Sequence, residues 1–256
     1  MVENPFDLTG RAALVTGGSK GLGKAMARGL AEAGADVVIS SRHEEALKSA
    51  AREIGEGLPA KVHYVVADMT VRADVARLAE EAVAALGRID ILVNNAGANT
   101  PQRLDEITDE VWDGLIELNL SSCMALSRAL VPGMKDRRWG RIIHISSVMG
   151  YASAAGRSAY SATKSALMGL ARAGAADLGD SGITVNCIAP GAFLTDLPLG
   201  LLSEAQQAEF ARRIALGRWG RPEELVGPIL LLASEAGSYI TGSTLLVDGG
   251  ALAKRF

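Results

Sequence analysis

The chain has 256 residues, of which 48% are hydrophobic and 21% are charged, and its formal net charge is −3. This composition is typical of a globular protein long enough to bury a core, and it offers no basic excess for a nucleic-acid partner. We also expect no membrane segment and a cytoplasmic location, because no apolar run approaches roughly 20 residues and residues 1–10 do not resemble a signal peptide.

Short apolar runs rich in Val and Ile alternate with helix-length segments along the chain. The predicted strands lie at residues 11–17, 36–40, 61–68, 89–97, 140–147, 182–190 and 243–250. Helices are predicted at 22–33, 44–54, about 109–132 and 158–179. This alternation is typical of βαβ units. We therefore predict one doubly wound α/β domain over residues 1–256, with a parallel sheet of about seven strands and helices on both faces.

The first predicted strand runs into a glycine-rich turn, TGGSKGLG (16–23), and then into a helix. Its G-x-x-x-G-x-G spacing allows a tight turn that brings the backbone and a helix N-terminus close to a pyrophosphate. Glycines alone would be ordinary loop residues, but after the first strand of a βαβ chain they favour dinucleotide binding. The predicted cofactor contacts in this turn are Gly17, Ser19, Lys20, Gly21, Leu22 and Gly23.

The end of the second predicted strand indicates which dinucleotide is bound. An acid at this place would bind the ribose 2′-hydroxyl of NAD, but Ser41 and Arg42 stand there instead. A hydroxyl and a guanidinium suit a 2′-phosphate, and Lys20 adds a further positive charge. We therefore predict NADP(H) as the preferred cofactor, with NAD(H) as the alternative if Arg42 is merely solvated.

Polar residues also end the third and fourth predicted strands. Carboxyl ends of parallel strands are where ligands bind in open α/β sheets, although Asn and Gly also simply make turns. We interpret these strand ends as part of the cofactor site. The predicted contacts are Asp68, Met69, Asn95, Ala96 and Gly97.

Five motifs in order along the whole chain resemble the short-chain dehydrogenase/reductase family. They are TGGSKGLG (16–23), NNAG (94–97), the Asn of ELNL (117–120), the S…YSATK pattern ending at Lys164, and PGAFLT (190–195). The resemblance implies a Rossmann-like fold, a nicotinamide cofactor, and reversible hydride transfer between an alcohol and a carbonyl substrate. It also implies a homotetramer with residues 239–250 at a subunit contact. The implied catalytic tetrad is Asn119, Ser147, Tyr160 and Lys164, and further implied cofactor contacts are Tyr160, Lys164, Pro190, Gly191 and Thr195.

Two tyrosines lie in residues 150–164, and only Tyr160 has a cation at helical spacing. Tyrosine is a poor base at its reference pKa of about 10. Proton exchange with the reacting oxygen therefore requires a cation beside the phenol. Lys164 is four residues on, and an ammonium at roughly 4 Å stabilises a phenolate by about 4 kcal/mol at an effective dielectric near 20. Tyr151 has Ala155 at that spacing and is a substrate contact at most.

Ser147 ends the fifth predicted strand, where its hydroxyl would orient and polarise the reacting oxygen. Ser146 points to the opposite face if the strand continues that far. Asn119 lies inside a long predicted helix. The family resemblance implies a helix distortion there, with an exposed carbonyl that holds a water and relays protons through Lys164. Without the other motifs Asn119 would be interpreted as a solvated or capping residue.

We predict no metal site. Cys123 and Cys187 lack metal-ligand spacing and are interpreted as buried reduced thiols. The three histidines do not cluster, and His144 lies mid-strand in apolar company. We expect it to be a hydrogen-bonded structural residue.

Two branches of the family compete for the substrate assignment. Reductases of 3-oxoacyl chains on acyl carrier protein need a basic docking patch, for which Arg138 matches one position. The second position is Ser181, with Asp177 and Asp180 nearby, and these acids would repel an acidic carrier. Segments 6–23, 37–42 and 214–225 are similar to gluconate 5-dehydrogenase and related sugar or polyol oxidoreductases, although they carry little substrate information.

We therefore expect a small-molecule alcohol or ketone substrate, leaning to a polar sugar acid or polyol. The alternative is 3-oxoacyl-(acyl-carrier-protein) reductase activity, and an alternative of another class is a cofactor-binding regulator without turnover. Arg103 and Arg157 could pair with a substrate carboxylate or be solvated. The apolar segment 191–202 is interpreted as a lid over the ligand.

Overall fold

The computed structural model describes residues 4–195 and 203–254. Its strands are β1 Ala12–Thr16, β2 Asp36–Ser41, β3 Val62–Val66, β4 Ile91–Asn94, β5 Gly140–Ile145, β6 Ile183–Pro190 and β7 Thr244–Val247. These described strands pair in parallel in the order β3-β2-β1-β4-β5-β6-β7. The predicted seven-stranded parallel sheet is confirmed. Most strands end before the predicted run does, because the polar residues at the carboxyl ends leave the sheet and form loops.

Helices and short helical turns connect the strands. They are α1 Gly21–Glu32, α2 Glu44–Gly55, α3 Arg72–Leu86, α4 Asp109–Ile116, α5 Ser122–Asp136, α6 Ser158–Leu178, α7 Glu204–Arg212 and α8 Val226–Ala233. A five-residue π-helical turn, Glu117–Ser121, joins α4 to α5. The helix predicted at about 109–132 is therefore interrupted around Asn119, where the family resemblance implied a distortion.

The core lies on both faces of the sheet. Successive residues of β1 belong to opposite clusters, with Ala12 and Leu14 on one face and Ala13 and Val15 on the other, as the two-residue period of a strand requires. The first cluster is covered by α3, α5 and α6, and the second by α1, α2 and α8. Helices on both faces, and with them the predicted Rossmann-like α/β fold, are confirmed.

The strand order reverses beside β1, which has β2 on one side and β4 on the other. At such a switch point the connections leave the sheet in opposite directions and open a crevice at the carboxyl ends of the strands. The glycine-rich turn follows β1 and residues 94–97 close β4, so the two motifs meet at this crevice.

Candidate active site

The glycine-rich turn forms an anion cradle at the start of α1. Gly17 and Gly21 have φ angles of +66° and +55°, which residues other than glycine rarely adopt. A Cβ on Gly23 would lie 2.2 Å from the carbonyl oxygen of Gly17. Lys20 precedes α1 without a side-chain cap, and the first turn contains no acid. The amide groups of this helix end therefore suit a phosphate group.

Asn95 holds the glycine-rich turn against the end of β4. Its Nδ2 donates hydrogen bonds to the carbonyl oxygens of Thr16, at 2.8 Å, and Gly17, at 3.2 Å. In return, Thr16 Oγ1 accepts from the backbone amides of Asn95 and Ala96. Asn95 therefore shapes the cradle through protein contacts. Thr16 was not among the predicted site residues, because its only signal in the sequence is a hydroxyl at the end of a buried strand.

A cavity of about 390 Å³ opens over this cradle. Of the predicted cofactor contacts, its lining includes Gly17, Ser19, Lys20, Gly21, Leu22, Gly23, Ser41, Arg42, Asp68, Met69, Asn95, Ala96, Gly97 and Thr195. It also includes four residues that were not predicted as contacts: His43, Ala67, Ala98 and Leu118. Each of these four is next to a predicted contact or to Asn119 in the chain. Their residue types alone do not indicate cofactor binding.

Four predicted cofactor contacts are not among the residues that line this cavity: Tyr160 and Lys164 on α6, and Pro190 and Gly191. Pro190 is the last residue of β6 and is buried. The amide of Gly191 donates to the carbonyl oxygen of Val247, and a Cβ on Gly191 would lie 2.7 Å from the Cα of Asp248. Gly191 thus allows β6 and β7 to end close together. The predicted lid begins here, and its residues 196–202 lie outside the described part of the chain.

Arg42 and Asp68 face each other in the wall of the cavity. Arg42 Nη1 lies 3.9 Å from Asp68 Oδ2, and 63% of the Arg42 side chain is exposed. Such an exposed and long ion pair holds the guanidinium only weakly. Arg42 is therefore available for an anionic group that enters the cavity.

Tyr160 and Lys164 lie one turn apart on α6, with Lys164 Nζ 5.6 Å from the centre of the Tyr160 ring. Lys164 is 4% exposed, and its Nζ donates a 2.8 Å hydrogen bond to the carbonyl oxygen of Ile145. Among the residues the structure describes, no carboxylate forms an ion pair with it. A buried, unneutralised cation therefore lies beside a partly exposed phenol.

The two serines after β5 have different roles. Ser146 Oγ donates a 2.7 Å hydrogen bond to the carbonyl oxygen of Lys164, which fixes β5 to α6. Ser147 Oγ accepts from the amide of Met149 at 3.1 Å and caps a short 3₁₀ turn. The hydroxyl hydrogen of Ser147 is not needed for that contact, so Ser147 can still donate to a substrate oxygen.

Asn119 is buried in the π-helical turn and joins it to the other motifs. Its side-chain amide exchanges two 2.9 Å hydrogen bonds with the backbone of Ala98 and donates to Thr163 Oγ1 at 3.2 Å. A Cβ on Gly97 would lie 3.1 Å from Asn119 Oδ1 and 3.5 Å from Lys164 Nζ. Gly97 therefore lies beside both side chains, and the end of the cofactor cavity adjoins the α6 site.

The main-chain carbonyl of Asn119 also has a side-chain donor. The thiol of Cys123, four residues on, lies 3.4 Å from this oxygen. Burial raises the pKa of Cys123, although the positive charge of Lys164 opposes the shift. The thiol is therefore protonated at neutral pH and can donate.

His144 is buried in β5 next to the site. Its Nδ1 lies 3.1 Å from Asn94 Nδ2, and burial together with the positive charge of Lys164 lowers its pKa to about 4. A neutral, hydrogen-bonded imidazole agrees with the structural role expected for His144. Burial likewise raises the pKa of the Cys187 thiol to about 12.

No three His, Cys, Asp or Glu side chains come together as a metal ion would require, within residues 4–195 and 203–254. Over the same residues, no helix is both long and apolar enough to cross a membrane.

The chain is similar to known proteins over most of its length. A family model described as enoyl-(acyl carrier protein) reductase matches residues 17–251. The 3-oxoacyl-(acyl-carrier-protein) reductase of Escherichia coli strain K12 is 39% identical over 245 residues, covering 96% of this chain and 98% of the relative. The corresponding enzyme of Thermotoga maritima is 38% identical over 243 residues, covering 95% and 98%.

Solved structures with the same fold carry a nicotinamide cofactor. A gluconate 5-dehydrogenase from Burkholderia cenocepacia in complex with NADP and tartrate has a TM-score of 0.91 and 38% identity, covering 97% of this chain and 98% of that one. A 3-oxoacyl-(acyl-carrier-protein) reductase from Agrobacterium tumefaciens with NADP bound has a TM-score of 0.92 and 33% identity, covering 97% of each chain. The chain therefore belongs to the short-chain dehydrogenase/reductase family, and it is an oxidoreductase of the class that acts on CH–OH and keto groups.

Proposed function

We propose that the protein is an NADP(H)-dependent oxidoreductase that interconverts a secondary alcohol and a carbonyl, with Tyr160 as the general acid and base. The observation that carries this proposal is the buried Lys164 ammonium, 5.6 Å from the Tyr160 ring and without an ion-pair partner among the described residues. Burying a charge without a counter-charge costs stability. A phenol that must pass through its phenolate form uses the field of that charge.

The residues of the cavity suit NADP. The α1 end and the glycine turn would hold the pyrophosphate, and Arg42 with Lys20 would hold the 2′-phosphate. Both solved relatives described above contain NADP. When bound, the nicotinamide supplies or accepts the hydride.

Side chains of the protein carry out the proton transfer. In reduction, Tyr160 donates its hydroxyl proton to the carbonyl oxygen as that oxygen gains charge, and in oxidation it takes the proton back. Lys164 stabilises the phenolate electrostatically in both directions. Ser147 donates a hydrogen bond to the same substrate oxygen and fixes its position. The carbonyl of Asn119 in the π-helical turn belongs to the path by which the proton is exchanged with solvent, as the family resemblance implies.

For the substrate, we propose a small polar hydroxy or keto compound such as a sugar acid or polyol. Arg138, which a carrier-protein reductase would use for docking, donates to the carbonyl oxygen of Asp180 at 2.9 Å. Ser181 and Asp177 lie in the same stretch of chain, so this surface combines one engaged Arg with two acids. An acidic carrier protein would gain little there. Of the two solved relatives described above, the gluconate 5-dehydrogenase supports this choice and the 3-oxoacyl reductase supports the second candidate.

The second candidate is reduction of 3-oxoacyl groups on acyl carrier protein. It is supported by the curated relatives, which include carrier-protein reductases 36–39% identical over 94–96% of this chain. The two candidates differ in substrate and not in chemistry. The same four residues, Asn119, Ser147, Tyr160 and Lys164, would serve both.

Arg103 and Arg157, the two arginines that could pair with a substrate carboxylate, differ in their contacts. Arg103 forms an exposed ion pair with Asp105. Arg157 precedes α6, and its backbone bridges to that of Gln102. Arg157 therefore remains a candidate for a substrate contact.

A panel of substrates with both cofactors tests the proposal. Gluconate-type acids, polyols and 3-oxoacyl thioesters would be assayed with NADP(H) and with NAD(H), comparing kcat/KM. We expect the highest values with a polar acid or polyol and NADP(H). The highest values with 3-oxoacyl thioesters would select the second candidate, and an NAD(H) preference would contradict the role of Arg42. Tight NADPH binding without any turnover would support a cofactor-binding regulator instead.

We also propose a cytoplasmic homotetramer. Tyr239 is fully exposed and Leu246 of the edge strand β7 is 39% exposed, which suits a contact between subunits in residues 239–250. Light scattering of the purified protein would give the mass. A monomer across the micromolar range would contradict this assembly.

A further inference from the structure

Arg72, the first residue of α3, contacts both ends of the π-helical turn that carries Asn119. Its Nε lies 2.5 Å and its Nη2 3.0 Å from the two carboxylate oxygens of Glu117, where the turn begins. Its Nη1 donates to the carbonyl oxygen of Ser121, where the turn ends, at 3.4 Å. One planar guanidinium thus spans the whole turn, which a lysine ammonium is too compact to do.

A π-helical turn benefits from such a contact. This helix type is rare and occurs mostly as single turns at functional sites. The guanidinium donates one hydrogen bond to Glu117 Oε2, at 3.0 Å, and its Nε is in ion-pair contact with Oε1. The side chains of Arg72 and Glu117 are 48% and 27% exposed, so we expect the pair to add little to global stability. Its effect is expected on the local geometry of the turn.

The same residue is also connected to the cofactor cavity. Asp68 lines that cavity, and its backbone carbonyl and its carboxylate accept hydrogen bonds from the amides of Val71 and Thr70. Arg72 follows directly. It is thus joined through one short loop to the cavity wall and through its guanidinium to the turn of Asn119.

We propose that Arg72 is a positioning residue that holds the π-helical turn and so fixes the carbonyl and side chain of Asn119 beside Gly97 and Lys164. This role rests on the proposed function, because it acts through the proton path of Tyr160 and Lys164. Arg72 itself touches neither the substrate nor the reacting atoms. Its loss should therefore slow proton transfer more than it weakens cofactor binding.

The test compares Arg72→Ala, Arg72→Lys and Glu117→Gln with Lys48→Ala. Lys48 forms an exposed ion pair with Glu44 on α2 and is the matched control. We expect Arg72→Ala to lower kcat by about tenfold, the scale of a small misplacement at a catalytic centre. KM for the cofactor should stay near its wild-type value, and the solvent deuterium isotope effect on kcat should rise. The kcat of Arg72→Lys should fall between those of Arg72→Ala and the wild type. Combining Arg72→Ala with Glu117→Gln should lower kcat little further.

Amide hydrogen exchange gives a readout that does not depend on activity. Peptides that contain Glu117–Ser121 should exchange about threefold to fivefold faster in Arg72→Ala than in the wild type, whereas Lys48→Ala should show no change there. Wild-type kcat or wild-type exchange of this turn in Arg72→Ala would overturn the proposal. Failure of the proposed function would appear separately, as full activity of Tyr160→Phe or an inactive wild type. The exchange comparison would then still decide whether Arg72 holds the turn.

Discussion

Buried charges lie near both ends of the parallel strands, and their surroundings differ. We call the side of the sheet where the strands begin its amino edge and the side where they end its carboxyl edge. At the amino edge, Asp90 is fully buried but accepts hydrogen bonds from Arg88, Arg137 and the amide of Ala12, at 2.8 to 3.1 Å. At the carboxyl edge, Lys164 is almost as buried, and the acceptor it has among the described residues is a neutral carbonyl oxygen. The charge of Asp90 is neutralised by arginines, whereas the charge of Lys164 is not neutralised by any described residue.

This difference separates stability from function. A buried ion that is paired and hydrogen-bonded holds segments together, and removing one partner leaves the other unpaired. A buried ion left without a counter-charge costs stability but projects its field onto the group beside it, here the phenol of Tyr160. The amino edge is therefore expected to govern stability and the carboxyl edge activity.

The largest expected effect is that of Lys164→Met at the carboxyl edge. Loss of the ammonium should lower kcat by about 10²- to 10⁴-fold, the range of acid–base assistance. The free energy of unfolding should stay the same or increase, because a buried unpaired charge is removed. Steady-state kinetics and urea unfolding measure the two quantities. A variant that keeps its kcat would break the comparison.

Asp90→Asn removes the paired charge at the amino edge, and its expected effects are the reverse of those of Lys164→Met. Breaking this buried pair should cost about 3–5 kcal/mol of the free energy of unfolding. The kcat of the molecules that remain folded should stay near the wild-type value. Urea unfolding at a fixed protein concentration, with active-site titration, separates the two effects. Unchanged stability would show that the amino edge does not have the role given to it.

Arg42→Ala tests cofactor recognition at the carboxyl edge. Loss of a hydrogen bond to a charged group should lower kcat/KM with NADPH by about 10- to 100-fold, which corresponds to about 1.5–3 kcal/mol. The value with NADH should change little. Arg52→Ala, an exposed arginine on α2, is the control. An equal loss with both cofactors would contradict recognition of the 2′-phosphate by Arg42.

The smallest expected effect concerns His144 and pH. Its pKa is lowered to about 4 in the folded protein, so the unfolded chain binds a proton first as the pH falls. Folded stability is therefore complete above about pH 6.5 and is lost as the pH falls towards 4, by about 2 kcal/mol between pH 7 and pH 5. His144→Gln should lose less stability over this interval than the wild type. An equal loss in both proteins would contradict the assignment.

Much of this organisation could be predicted from the sequence. Alternating apolar runs predicted the sheet and its two covered faces, because strands buried on both sides must be apolar throughout. The cofactor motifs all follow predicted strands, and parallel strands bring their carboxyl ends to one edge. The spacing of Tyr160 and Lys164 predicted their proximity, because four residues make about one helical turn.

Contacts between distant segments could not be predicted in this way. Thr16 and Asn95 hold the glycine turn through hydrogen bonds between residues 79 positions apart. The contact of Arg72 with Glu117 spans 45 positions. A surface arginine at the start of a helix has no distinctive sequence pattern, and its partner is decided only when α3 packs against α5. Residue type and spacing report local structure and do not encode such pairings.

The most direct test of the central claim uses the two tyrosines of residues 150–164. Tyr160 lies one helical turn from Lys164, whereas Tyr151 is 53% exposed and follows the 3₁₀ turn after β5. The kcat of Tyr160→Phe and of Tyr151→Phe would be measured with the best substrate, together with the Kd for NADPH. The account predicts that Tyr160→Phe loses turnover and keeps its cofactor affinity, while Tyr151→Phe stays active. Substantial turnover by Tyr160→Phe would contradict it.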